Sequence, residues 1–513
     1  MKTIKLLIMS LLVLAFTGCD DDEFLTQKSP DALDSASFWR DATDANAGLT
    51  AAYGELESRS EFWDGWQEGR PIVEWYRSDY VVPGVDGSNY AHWMSIFNFT
   101  YTNGHTFVNL LWRTNYKGLN YANQVIAKVG AMTEEQISPA QRKQIIGEAT
   151  FLRAYYHFKL LTIYKQIILR TDLISEETLE LPLASRSEAY AQIIEDFKAA
   201  ASMLPVNNTV GNIGRANKGT AMAYLGKVYL YKAGDASATA SDDFKNAADA
   251  MAVVVNSGAY SLEVDFESSF NGENENNQES IFELQFKTAD GDIFNATMLH
   301  AFIADPSFGG WGGIEGSPAL LTEMKSEGEI SSEGMYDARL YGSLYFKDPY
   351  YNAGNNMQGS NWDALMLDTY KESAASKDNT VYFKKFLPLD VENAGYNGLN
   401  VVLMRYADVL LMYAEALNET GDTSKAIEII NKIRLIHGNM PAITATSTAG
   451  VKTQLIHERT MEFSLESSRF YDLRRWGMLD AAMQTAGRTG FSAEAHGYLP
   501  VPLSEINANS KVD

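Results

Sequence analysis

The sequence predicts a mainly α-helical fold, a frame of paired helices interrupted by long irregular insertions with minor β structure. Three observations predict it. Apolar residues recur near the helical period of about 3.6 in several segments. Small residues and glycines punctuate those segments where a helix would turn back on its predecessor. Two stretches rich in Gly, Asn, Tyr and Trp then break the pattern.

In chain order, Ser138-Pro139 opens a helix through Tyr164, with Ile145, Ala149, Leu152, Tyr156 and Leu160 along one face. Serine suits a helix cap and proline the first turn. A second helix is predicted over 187–203, stopped before Pro205 because proline cannot continue the ladder. Residues 215–232 form a third, ended by Gly234, and 242–256 a fourth, ended by Gly258. Near the C-terminus, 403–419 and 423–437 form a pair hinged at Gly421-Asp422. From Thr453 to about Met483 the pattern continues, with a break near Ser467-Ser468.

The pairs fall in about 139–258 and 403–483. Ala223, Gly234 and Ala247 surround one turn as Ala416, Gly421 and Ala426 surround another, and such small residues let two helices approach closely. The pattern resembles tetratricopeptide repeats, whose units need neighbours to cover their apolar faces. A generic helical bundle is the alternative.

The insertions, about 61–112 and 271–400, carry weak helical periodicity, with strand-like runs at 281–286 and 381–387. Long insertions on a rigid frame are where binding sites commonly sit. The run Asn271-Gly-Glu-Asn-Glu-Asn-Asn277 reads as an exposed loop tip.

The start of the chain reads as an address. Lys2 and Lys5 precede an apolar run from Leu6 to Phe16, then Thr17-Gly18-Cys19. That run has the length of a signal-peptide core and is too short for a membrane span, which needs roughly 20 residues. Small residues before the only cysteine resemble a bacterial lipobox, relaxed by Phe16 where leucine is usual. The resemblance implies that residues 1–18 are removed, that Cys19 is lipidated, and that 19–36 form a tether before a single domain over 37–513. Loss of the two lysines takes the formal charge from −24 to −26. The acidic run Asp20-Asp21-Asp22-Glu23 reads as a solvated tether or as the export signal of Bacteroidetes surface lipoproteins.

Charge and composition exclude several classes. At −24 the chain repels nucleic-acid backbones and anionic lipid surfaces, so no nucleic-acid partner is expected, and membrane contact is expected through the N-terminal lipid only. One cysteine permits neither an intramolecular disulfide nor a cysteine-built zinc site. The 7 histidines fall in no zinc-binding pattern. No cofactor is expected; a structural Ca2+ is compatible with the Asn-rich loop, but no full ligand loop indicates one. Walker-type, dinucleotide-binding and Gly-x-Ser-x-Gly motifs are all missing from the sequence.

Aromatic content is high, with 27 Tyr, 24 Phe and 9 Trp. Sugar rings have a C–H face that packs on flat aromatic rings, and their hydroxyls need polar partners at the edge. The first insertion supplies both, in Trp63, Trp66, Trp75, Tyr76, Tyr80 and Trp93 beside Asp64, Gln67, Arg70, Arg77, Asp79 and Asn89. Phe308-Gly-Gly-Trp311-Gly-Gly is a second candidate, since four glycines leave the indole projecting. Tyr341, Tyr345, Tyr350 and Tyr351 are weaker additions. Core packing is the competing reading for each tryptophan. A glycosidase would need two carboxyl groups about 5–5.5 or roughly 6.5–9.5 Å apart. Asp64 with Glu68, or Glu458, Glu462 and Glu466, could share a helical face, but arginines near the latter favour an ion-pair network.

Five segments resemble the SusD/RagB family. They are Ser37-Phe-Trp-Arg-Asp41 through Tyr53; Gly147-Glu-Ala-Thr-Phe-Leu-Arg-Ala-Tyr-Tyr-His-Phe158; and Arg405-Tyr-Ala-Asp-Val-Leu-Leu-Met-Tyr-Ala-Glu-Ala416. The others are His457-Glu-Arg-Thr-Met-Glu-Phe463 with Arg469-Phe-Tyr-Asp-Leu-Arg-Arg-Trp-Gly477, and Tyr498-Leu-Pro-Val-Pro502 with Glu505-Ile506. Lys165-Gln-Ile-Ile-Leu-Arg170 departs from the Gly-Gly-Val-Pro-Leu-like run usual there, and Ile433-Arg-Leu-Ile-His-Gly438 from the common repeat ending. The resemblance implies an outer-membrane, surface-anchored lipoprotein of glycan utilisation and nutrient uptake. It implies no enzymatic activity, an oligosaccharide or polysaccharide ligand, and a SusC-like TonB-dependent transporter as partner. A helical polysaccharide lyase or hydrolase, or an adhesion lipoprotein, are the alternatives.

Overall fold

A computed structural model describes residues 38–57, 66–207, 210–288, 296–330, 334–354, 356–357, 361–364, 380–388 and 396–512. Cys19, the acidic run and Trp63 lie outside the described residues.

The predicted helical frame is present. After α1 (Ala42–Glu57), α2 (Trp66–Trp75), β1 (Val81–Pro83) and α3 (Ala91–Phe97), the long helices α4 (Thr106–Gly130) and α5 (Pro139–Ile163) pack side by side. Helices α6 (Arg186–Met203), α7 (Lys218–Ala233) and α8 (Asp243–Val255) follow as neighbours in sequence and space. Each start has a local cause. Ser138 caps α5 by accepting from Gln141 N, with Pro139 in the first turn. Ser185 and Glu188 form a reciprocal capping box on α6, as Asn217 and Thr220 do on α7. A Cβ at Gly226 of α7 would sit 2.6 Å from Met251 Cγ of α8, so the pair closes where only glycine fits.

The second insertion contributes β2 (Ser280–Leu284), α9 (Leu299–Ile303), β3 (Ile314–Gly316), α10 (Pro318–Met324), α11 (Ala338–Ser343), β4 (Leu344–Tyr345) and β5 (Tyr382–Phe383). Then come β6 (Val401–Arg405), α12 (Tyr406–Glu419), α13 (Thr423–Gly438), α14 (Thr448–Phe463), α15 (Arg469–Arg475), α16 (Leu479–Thr485) and α17 (Leu503–Ala508). Two-stranded antiparallel ladders join β1 with β3, β2 with β6, and β4 with β5.

Three sequence expectations change. Residues 403–405 belong to β6 and not to the following helix, because they complete the ladder on β2. The helix predicted from Thr453 starts earlier, at Thr448, while the expected break near Ser467-Ser468 is present at 464–468, where Leu465 and Ser467 take positive φ of 67° and 64°, a conformation no helix continues through. Helix α4 begins inside the predicted first insertion; the aromatic content of 106–116 disguised an amphipathic helix.

The core is aromatic where frame meets sheet. Phe151 of α5 packs edge-on against Phe197 of α6, Tyr224 of α7 and Phe282 of β2 at 5.3–5.7 Å between centroids. A buried ion-pair network ties the insertion to α14. Arg339 reaches Asp337 (2.7 Å), Glu458 (2.8 Å) and Glu462 (3.3 Å), while Arg405 reaches Glu279 (2.5 Å), Glu462 (2.9 Å) and Glu466 (2.8 Å). The expected network on α14 exists, but its cations arrive from distant segments. Arg459 instead binds Asp408 and Asp472, Arg475 binds Glu415, Arg469 binds Asp79, and Arg474 donates to the carbonyls of Gly497 and Thr162.

Candidate glycan-binding face

The two segments singled out in the sequence come together. Val81 pairs with Gly316 and Pro83 with Ile314 across the β1–β3 ladder. Beyond it, Gly84 N donates to Gly313 O (3.1 Å) and Asp86 N to Gly312 O (3.0 Å), so the loop before α3 lies against the glycine-rich loop. The Tyr76 hydroxyl seals the join by donating to Gly313 O at 2.6 Å.

The glycine-rich loop is pinned through its backbone. Trp311 N donates to Ala301 O (2.6 Å), Gly312 N to Ala304 O (2.7 Å) and Gly313 N to Phe302 O (2.9 Å). Gly309 and Gly312 adopt φ of 77° and 66°, which glycine tolerates and other residues rarely do. With its main chain held against 301–304, the loop leaves Trp311 half-buried, with part of the residue open to solvent.

Across the join, Tyr90 is 39% exposed and Val85 47% exposed, and Asn89, Ser88 and His92 are exposed beside them. Tyr90 rests on Trp93 with centroids 4.2 Å apart, and Trp93 abuts Phe302 edge-on at 5.3 Å. Trp75 stacks on the same phenylalanine from further in, at 6.1 Å. One aromatic layer, Trp75–Phe302–Trp93, therefore underlies Tyr90, with exposed Val85 and Asn89 on the same loop and half-buried Trp311 on the loop joined to it.

Several sequence candidates are corrected by their burial. Trp75 is only 4% exposed, its indole N–H donating to Ser467 Oγ at 3.0 Å. Trp93 is likewise 4% exposed, because Tyr90 covers it. Tyr76 is fully buried, and burial drives its phenol well above the ordinary tyrosine range. Arg77 is fully buried over the Phe470 ring (4.0 Å), with a hydrogen bond to His496 O at 2.7 Å. Asp79 is clamped by Arg469 through contacts of 3.0 and 2.7 Å. Burial opposes the Arg469 charge, but Asp79 outweighs it and holds the guanidinium above its usual range. All five are buried, so none of them presents a surface to solvent. Tyr345 and Tyr351 are also fully buried. Asn89 is exposed, whereas Trp311, expected to project freely, is half-buried. Trp66 begins α2, while Trp63 and Asp64 are outside the described residues. Sequence reasoning passed over Tyr90. The signal was its position three residues before Trp93, which sets one ring over the other where α3 begins.

Two crevices near this face are small. One of about 40 Å3 lies among Pro71, Trp75, Phe286, Phe386 and Ser467, and one of about 30 Å3 among Tyr80, Phe383, Arg459, Ser464 and Trp476. A water needs roughly 10–15 Å3, so each has room for a few waters and neither accepts a sugar ring.

Metal-like groupings occur elsewhere. Glu279, His437 and Glu462 bring ligand atoms within 4.8 Å of one another, but Arg405 donates to both carboxylates and fills a cation's role. Burial disfavours a charged His437, yet Glu462 and Glu279 outweigh it and raise its pKa to about 9. Glu327, His457 and Glu458 form a second grouping, in which Arg434 bridges the two carboxylates.

Comparison with known proteins accords with this architecture. Residues 278–513 match the model of the "SusD family", and residues 75–230 match one described as "Starch-binding associating with outer membrane". The chain is 25% identical over 538 aligned positions to "SusD-like protein P2" of Formosa agariphila, covering 100% of this chain and 99% of that one. Among solved structures it resembles a SusD superfamily protein from Bacteroides vulgatus, with 27% identity, TM-score 0.77 and coverage of 93% and 99%. It also resembles a laminarin-binding SusD-like protein, with 23% identity, TM-score 0.73 and coverage of 93% and 99%. No helix among the described residues is long and apolar enough to cross a membrane.

Proposed function

Because this chain belongs to the SusD/RagB family, we propose that it captures oligosaccharide at the cell surface, without cleaving it, for a TonB-dependent SusC-like transporter. In this reading residues 1–18 are a signal peptide, Cys19 carries the lipid, 19–36 are the tether, and 37–513 act as one SusD-like unit at the outer membrane. The family-model description, with its starch-binding and outer-membrane wording, supports that address. The laminarin-binding relative supports a glycan as ligand class.

The observation that carries the proposal is the meeting of the Tyr90 and Trp311 loops over a rigid aromatic layer. Tyr90 and Trp311 offer flat apolar surfaces to sugar C–H faces, and Asn89 supplies donors and an acceptor at the edge. Backbone pinning of both loops lowers the ordering cost of binding. No paired carboxylates are needed for capture. Glu458 and Glu462 of α14 and Glu466 just beyond it are engaged with arginines and lysine in the interior.

The test is affinity-gel electrophoresis against a panel of plant, host and microbial glycans, with parallel assay for new reducing or unsaturated ends. Retardation by at least one glycan without new ends is the expected result. Turnover at enzyme-like rates would replace capture with catalysis, and a blank panel would point to an adhesion role.

A further inference from the structure

The crevice of about 30 Å3 beside α14 is lined by two buried polar groups whose hydrogen-bonding capacity the fold leaves unused. Arg459 is 4% and Ser464 9% exposed. Arg459 commits Nε to Asp472 (2.8 Å) and Nη1 to Asp408 (2.9 Å), while its Nη2 meets no hydrogen-bond partner among the described residues. The Ser464 hydroxyl, where α14 ends, is equally without one. A buried donor left unmade is costly, and here two such groups line one small space.

The rest of the lining decides what can answer them. Arg469 brings a second guanidinium, clamped by Asp79. Asp472 brings a carboxylate, but both its oxygens are taken, one by Arg459 Nε and one by Arg475 Nε, each at 2.8 Å. Leu320 and Phe383 add apolar wall. A guanidinium nitrogen can only donate, and a hydroxyl can turn to donate. Helix α14 ends and α15 begins beside the crevice, so their opposed partial charges leave the side chains to set its preference.

We propose that this crevice binds a monatomic anion of the chloride class, which accepts from Arg459 Nη2 and the Ser464 hydroxyl. Size restricts the occupant, since the space equals about two waters at roughly 10–15 Å3 each and is too small for sulfate or a sugar acid. Chemistry separates the anion from water. Water brings two hydrogens of its own to a place where the Asp472 oxygens are already engaged, whereas a halide brings none. Bonds from a guanidinium to an anion are also the stronger, charge-assisted kind. Tyr80 and Trp476, both half-buried, line the crevice too and give a small ion its way in.

The position gives the ion a consequence. Ser464 opens the link 464–468, in which Leu465 and Ser467 hold positive φ, and Ser467 in turn accepts from the Trp75 indole. An ion shared by Arg459 and Ser464 ties the body of α14 to this strained link. Its effect is therefore read as stability.

The test uses the purified full chain. Crystals are exchanged from chloride into bromide and anomalous diffraction is measured at the bromine edge. In solution, melting temperature is followed as chloride replaces gluconate at constant ionic strength. Expected are a bromine peak within hydrogen-bonding reach of Arg459 Nη2 and Ser464 Oγ, and a wild-type melting temperature that rises with chloride and saturates. Ser464→Ala removes a hydroxyl with no protein partner and should weaken the apparent chloride Kd about fivefold, as loss of one hydrogen bond does. Ordered water in the crevice without anomalous signal overturns the proposal. A bromine peak without a saturable effect in solution marks an adventitious ion only and also overturns it. So does a chloride response identical in wild type and Ser464→Ala, which places the ion elsewhere.

Discussion

Tyr90 lies on Trp93 with ring centroids 4.2 Å apart, so one aromatic faces solvent and its partner is sealed below. The pair separates contact from support, and the two should respond differently to truncation. Tyr90→Ala is expected to weaken glycan retention while changing stability by less than about 1 kcal/mol. Trp93→Ala empties a buried site and is expected to cost about 3–5 kcal/mol. Urea denaturation alongside affinity gels separates these outcomes; equal destabilisation by both variants contradicts the assignment.

Trp311 is the second contact. Covering about 60–80 Å2 of its apolar surface at roughly 25 cal/mol/Å2 corresponds to about 1.5–2 kcal/mol, or 10- to 30-fold in Kd. Trp311→Ala should show that loss by isothermal titration, with Phe at this position recovering part of it. An unchanged Kd removes Trp311 from the site.

The join between the loops leaves no space for a side chain. A Cβ at Gly87 would collide with Gly313 O and the Tyr76 hydroxyl oxygen, and one at Gly313 with the Phe302 ring. Gly87→Ala should therefore push the loops apart, costing about 1–3 kcal/mol as overpacking does. Glycan retention should fall with it, although residue 87 need never touch the ligand. Full retention with a lowered melting temperature would show that the join serves stability alone.

The His437 ion pairs make stability depend on pH with a defined sign. Burial opposes its charge, but Glu462 and Glu279 raise its pKa to about 9, against about 6.5 in an unfolded chain. A raised folded-state pKa gives stability that is complete below pH 6.5 and lost as pH climbs through 9. Burial pulls Lys159 and Lys385, despite their glutamate partners, down to about 8, and they act in the opposite sense above that pH. The window from pH 6.5 to 8 is thus the informative one. Melting temperature should fall across it more steeply in wild type than in His437→Gln, and parallel profiles would contradict a charged His437.

The frame was legible in the sequence because its signals are local. Ser138-Pro139, Ser185 with Glu188, and the Gly421 turn each act within a few residues, and the helices they bound lie close to the predicted spans. The candidate face was legible only in part. Trp311 could be picked out because glycines flank it, a local cue. Burial of Trp75, Tyr76, Arg77, Asp79 and Trp93 could not, since it depends on partners more than 200 residues away, such as Phe302, Gly313 and Arg469. Ser467, Phe470 and His496 are similarly distant in sequence. The cations opposing α14 were misassigned for the same reason. Nearby arginines look like partners in a sequence, whereas Arg339 and Arg405 arrive through tertiary packing.

The most direct test is a crystal structure of the chain with whichever glycan retards it in gels. Sugar rings are expected in van der Waals contact with Tyr90 and Trp311, with hydroxyls within hydrogen-bonding reach of Asn89 and the glycosidic linkage intact. A glycan seated elsewhere, with the Tyr90–Trp311 face bare, would contradict that expectation.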